Sequence, residues 1–97
     1  MIRFIESAVS RHPELGLKIN LGEHHRIMKS GWKGSLWIVP RYDGHRVETT
    51  GDVGTHLNGE IMKLHGQNDG ENTKGYKYWY LNNIGDVEKI IDIYAKI

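Results

Sequence analysis

The stretch from Asn83 to Ile97 constrains the fold most. Val87, Ile90, Ile91, Tyr94 and Ile97 recur at i, i+3, i+4 and i+7, the spacing that gathers apolar side chains on one face of an α-helix. Asn83 is placed to cap the first turn, and Asp86 lies near the positive end of the helix dipole. Glu88, Lys89, Asp92 and Lys96 occupy the polar side with both signs interspersed, as a solvated face does. Such a helix is stable only if its stripe is buried on a second layer. Ile93 falls off the stripe, which implies either a wide core contact or a dimer surface.

The preceding residues supply that layer. Leu17, Ile19 and Leu21 alternate with Lys18 and Asn20, the pattern of a half-buried strand, and Gly22 and Glu23 turn the chain into a second strand around His25–Lys29. Leu36-Trp37-Ile38-Val39 is strongly β-prone and is expected to end at Pro40, which has no amide hydrogen for a ladder. Trp37, inside this run, is expected in the core. Tyr42-Asp43-Gly44-His45 reads as a hairpin turn, with Arg46–Thr50 as the returning strand. Glycines at 51, 54 and 59 predict a loop, Glu60–His65 a further strand, and the polar stretch Gly66–Gly75 an exposed loop. Tyr76–Leu81 follows as an aromatic strand. At the other end, Ile2, Ile5 and Val9, flanked by Phe4 and Ala8, predict a helix over about residues 2–11, closed by Pro13 and Gly16.

The expected fold is therefore α+β: an N-terminal helix, a mainly antiparallel sheet of about five or six short strands, and a C-terminal amphipathic helix. Hairpin-length connections leave no room for helical crossovers. With 97 residues, the chain 1–97 is expected to form one α+β domain.

Composition excludes several classes. There is no cysteine, which removes disulfide scaffolds, thiolate zinc sites and cysteine nucleophiles together. A secreted domain of this size would ordinarily carry staples, so a cytoplasmic location is expected. Arg3 and Glu6 interrupt the apolar run that a signal peptide needs. The longest apolar run, Leu36–Val39, is far short of the ~20 residues of a membrane span. A soluble protein without a membrane partner is expected.

Charge is unevenly spread. Residues 1–48 carry eight Lys/Arg against five Asp/Glu, and residues 49–97 carry five against seven. Between 18 and 46, Lys18, Arg26, Lys29, Lys33, Arg41 and Arg46 outweigh Glu23 and Asp43, and Trp32, Trp37 and Tyr42 are interleaved with them. Lysine and arginine neutralise phosphates, and exposed rings stack on unpaired bases. Lys29, Trp32, Lys33, Arg41, Tyr42 and Arg46 are thus the candidate nucleic-acid-binding residues, with DNA or RNA as the partner. The plainer reading of the same residues is tryptophans in the core and cations on solvated edges.

The histidines form no comparable pattern. His24 and His25 have the chemistry of a ligand or base, but neighbours in a strand point to opposite faces. Asp52, His56 and Glu60 have the spacing of a helical ligand set, and the glycines around them argue against a helix. No HExxH motif and no glycine loop ending in Lys-Ser/Thr is present. No metal site, catalytic set or cofactor is expected. The reading is a small intracellular module that binds nucleic acid, as monomer or homodimer. Beside it stand a protein-binding module or small inhibitor, for example phage-encoded, and a His/Asp metal-assisted hydrolase or nuclease drawing on His25, His45, Asp52 and His56.

Overall fold

The computed structural model describes residues 3–97; Ile2, the expected first apolar position of the N-terminal helix, lies outside the described residues. Helix α1 (Arg3–Ser10) leads into strands β1 (Leu15–Asn20), β2 (His24–Lys29), β3 (Leu36–Arg41) and β4 (Gly44–Thr49). Helix α2 (Gly51–His65), strands β5 (Gly70–Glu71) and β6 (Lys77–Leu81), and helix α3 (Ile84–Lys96) complete the order. The strands make one sheet in the order β1-β2-β3-β4-β6-β5, antiparallel throughout. The class is α+β, as the pattern of the chain implies.

Alternation along the strands builds the core. His25 and Ile27 of β2, Leu36 and Ile38 of β3, Val47 and Thr49 of β4, and Trp79 and Leu81 of β6 are all buried. The apolar members pack with Ile5, Ala8 and Val9 of α1, Val53, Leu57 and Ile61 of α2, and Val87, Ile90, Ile91 and Tyr94 of α3 in one cluster. All three helices therefore lie on the same side of the sheet. Ile93 packs at the margin of this cluster, so its extra apolar surface widens the core contact. At the start of α3 the Asn83 side chain accepts from the Gly85 amide at 2.8 Å, the cap its sequence implies. Among the described residues no helix is long and apolar enough to cross a membrane.

Residues 51–65 depart from expectation. In place of a loop and a strand they form α2, because Val53, Leu57 and Ile61 are spaced to bury one stripe completely. Packing of that stripe outweighs the propensity cost of the glycines. The glycines also have separate uses. Gly51 (φ +57°) opens the helix, and a Cβ on Gly34 (φ +90°) would lie 2.0 Å from the Thr50 carbonyl oxygen, so the two backbones meet where only glycine fits. The Thr50 amide donates to Ser35 O at 3.0 Å and the Asp52 amide to Lys33 O at 2.9 Å, fixing the helix start on the strand β3 entry. The link from β4 to β6 is thus helical rather than of hairpin length, and the β5–β6 hairpin brings β6 back antiparallel to β4.

Smaller differences have local causes. β3 runs through Pro40 to Arg41; its pairing with β2 stops at Ile38, so one edge of the strand is already open at the proline. Leu21 leaves the strand for a 3-10 turn and is almost fully exposed. Within 66–75, Gly70–Glu71 pairs with β6 as an edge strand. Trp37 lies half-buried outside the core, because Leu36 and Ile38 on either side of it take the core-facing positions.

Candidate functional site

The face of the sheet opposite the helices is uncovered, and alternation decides what it shows. Register places Lys18, Arg26, Trp37, Glu48 and Tyr78 in one row across β1, β2, β3, β4 and β6. The adjacent row holds Asn20, His24, Val39, Arg46 and Tyr80, with Arg41 beyond it. Four cations thus meet one carboxylate among the described strand residues of this face.

The cations lie on the rings. The Arg46 guanidinium carbon is 3.9 Å from the Tyr78 ring centre, that of Arg41 is 4.2 Å from Tyr80, and that of Arg26 is 5.7 Å from Trp37. A guanidinium set over a ring is attracted by the negative charge of the ring face. Tyr78 and Tyr80 are 5.4 Å apart, centre to centre. Gly70 makes room for Tyr78, since a Cβ there would lie 2.3 Å from the Tyr78 hydroxyl. Arg26 is steadied by donating Nε–H to Ser35 Oγ at 2.7 Å. Arg46 also bonds Glu48, whose other oxygen accepts from Asn72 at 3.2 Å. Burial works against the Arg46 charge, but the hydrogen bond and charge of Glu48 outweigh it and raise the arginine above its ordinary value. Trp37, Val39, His24, Arg46 and Glu48 enclose a shallow depression of about 210 Å³.

Of the six residues singled out by sequence, Arg41 and Arg46 belong to this face, and Tyr42 stands fully exposed at the hairpin tip beside it. Lys29 lies on the helix side, with Nζ reaching the carbonyls of Tyr94 and Ala95 at 3.2 Å each. Trp32 packs against the core, edge-on to His56 at 4.9 Å and to Tyr94 at 6.0 Å. The Lys33 amide donates to Asp52 at the start of α2. The structure therefore does not gather the six, and it supplies Arg26, Trp37, Tyr78 and Tyr80 in their place. The signal that finds them is parity: residues 37, 39 and 41 and residues 78 and 80 share a face once the core-facing set is known.

The histidines are scattered. His24 is exposed and His25 buried, as opposite-facing neighbours must be; the His25 ring Nδ1–H donates to Glu23 O at 2.8 Å. Asp52, His56 and Glu60 now share a helix, yet Asp52 serves the Lys33 amide, His56 the Trp32 ring and Glu60 the Lys63 ammonium. Among the described residues no three His, Asp or Glu side chains converge as a metal site. Compared with protein-family models, with curated proteins and with solved structures, the chain matches none of the three.

Proposed function

We propose that the uncovered sheet face binds single-stranded nucleic acid. The observation that carries the reading is the set of three guanidinium–aromatic pairs on one face, with Lys18 alongside. Arg26, Arg41 and Lys18 neutralise phosphates, while Trp37, Tyr78 and Tyr80 offer stacking surfaces to unpaired bases. A duplex hides its base faces, so a platform of this kind favours single strands. Tyr42 at the hairpin tip stands beyond the strand ends.

The test is fluorescence anisotropy of labelled single- and double-stranded oligonucleotides over a salt series. Single-strand affinity should fall log-linearly with salt, and Arg41→Ala should lower the slope by about 0.7. Tyr80→Ala should weaken binding by roughly 1–3 kcal/mol. No binding at low salt, or binding untouched by both substitutions, would overturn the reading.

A further inference from the structure

At one end of the sheet the β3–β4 turn, the end of β6 and the last turn of α2 enclose a cavity of about 290 Å³. Arg41, Asp43, His45, His65, Tyr80 and Asn82 line it. Arg41 and Tyr80 belong equally to the uncovered face, whereas His45, in step with Val47 and Thr49, lies on the helix side, so the cavity sits at the end of the sheet where the two sides meet.

The two imidazoles are held differently. His65 bonds Asp86 of α3 through Nε2 at 2.8 Å. An ionised carboxylate only accepts, so Nε2 carries the hydrogen and Nδ1 is the nitrogen left to exchange a proton. Protonated His65 forms an ion pair with Asp86. His45 is half-buried with its ring edge-on to Phe4 at 5.2 Å. Burial first, and then the neighbouring His25, push it below its ordinary value, which favours the neutral ring. Arg41 and Asp43 are the other charged groups of the cavity wall. Two imidazoles, one of them paired with a carboxylate, and a guanidinium can supply the base, the acid and the anion contact of a metal-free phosphodiester cleavage.

We propose that this cavity cleaves single-stranded RNA, with His45 as general base, His65 as general acid and Arg41 holding the scissile phosphate. His45 takes the proton of a ribose 2′-hydroxyl as O2′ bonds to phosphorus. The P–O5′ bond breaks, and the leaving O5′ takes a proton from the His65 imidazolium. The products are a 2′,3′-cyclic phosphate and a 5′-hydroxyl end, and solvent restores both histidines. DNA has no 2′-hydroxyl and is bound intact. The assignment rests on the nucleic-acid reading of the uncovered face.

The experiment incubates the full chain in EDTA with a labelled single-stranded RNA and with its all-deoxy counterpart, reading products by mass spectrometry and binding by anisotropy. RNA should give cyclic-phosphate ends and DNA none. His45→Ala and His65→Gln should each slow cleavage by about 100-fold or more, with affinity changed less than about threefold and the circular dichroism spectrum retained. Glutamine preserves a donor to Asp86, so a merely structural role for His65 would leave the rate intact. RNA bound but never cut would overturn the cleavage site and leave the binding face standing. Absence of binding would remove both. Cleavage at the wild-type rate in both variants would show that the histidines are not its catalysts.

Discussion

Lys29 shows how one residue's role depends on a distant partner. Its Nζ meets the carbonyls of Tyr94, Ala95 and Ile97, which the end of α3 leaves without intrahelical donors. A cation there also complements the negative end of the helix dipole. In the sequence Lys29 resembles a phosphate ligand, because its partners lie 65 or more residues away. Lys29→Met, which keeps the apolar stem, should cost about 1 kcal/mol in urea denaturation and leave oligonucleotide affinity unchanged. An affinity loss as large as that of Arg41→Ala would return Lys29 to the interface. Tyr94 shows the converse case. Its hydroxyl is buried with no hydrogen-bond partner among the described residues, and burial pushes its pKa up to about 12. Tyr94→Phe keeps the edge contact with Trp32 and removes the unpaired group, so stability should rise by about 1 kcal/mol. A loss of stability would mean that the hydroxyl has a partner.

Among the elements, α3 and the β3–β4 hairpin were legible because their signals are local: a 3.6-residue stripe with an asparagine cap, and an Asp-Gly pair, although the loop is Tyr42-Asp43 and Gly44 already pairs with Arg41 in β4. Helix α2 was not, because its apolar stripe of Val53, Leu57 and Ile61 is diluted by glycines whose reasons lie elsewhere. Gly51 answers to Gly34 on the far side of a backbone contact, and Gly54 packs against Thr49 and Asn58. The uncovered face was half legible: Arg41 and Arg46 stood out by charge, whereas Arg26 and the tyrosines became partners only through register. A glycine inside α2 and one packed against its start make separate predictions. Gly59 is exposed, and a Cβ there meets nothing within 4 Å. Gly59→Ala should therefore stabilise the protein by roughly 0.5–1 kcal/mol through helix propensity alone. Gly34→Ala places a methyl group against the Thr50 carbonyl at positive φ and should cost more than about 3 kcal/mol. Thermal melts of the two variants should move in opposite directions, and a drop for Gly59→Ala would contradict the open environment of that position.

At the scale of the molecule, the helices are joined to one another by ionic contacts that titrate. Arg11 and His12, just past α1, meet Asp92 of α3 at 3.3 and 2.6 Å. Burial acts to raise the Asp92 carboxyl, but the bonds from His12 and Arg11 outweigh it and hold it below its ordinary value. The unfolded chain therefore binds this proton first as the solution is acidified. The contribution of Asp92 is complete above about pH 4 and is lost as pH falls through the folded value. His45 has the same sign in another window. Its folded ring is also held low, so from about pH 6.5 downward the unfolded ring gains a proton that the native ring refuses. His12 and His65 lie on carboxylates too, so the two effects are read as differences from variants. Between about pH 8 and pH 5.5 wild type should lose stability relative to His45→Gln; below about pH 4 its difference from Asp92→Asn should close. The carboxylate of Asp92 is partly exposed, which limits its share to less than about 1 kcal/mol. Urea midpoints at three pH values decide the matter. If wild type gains on His45→Gln as the solution is acidified, the native protein carries His45 charged, and the neutral imidazole at the end of the sheet is ruled out.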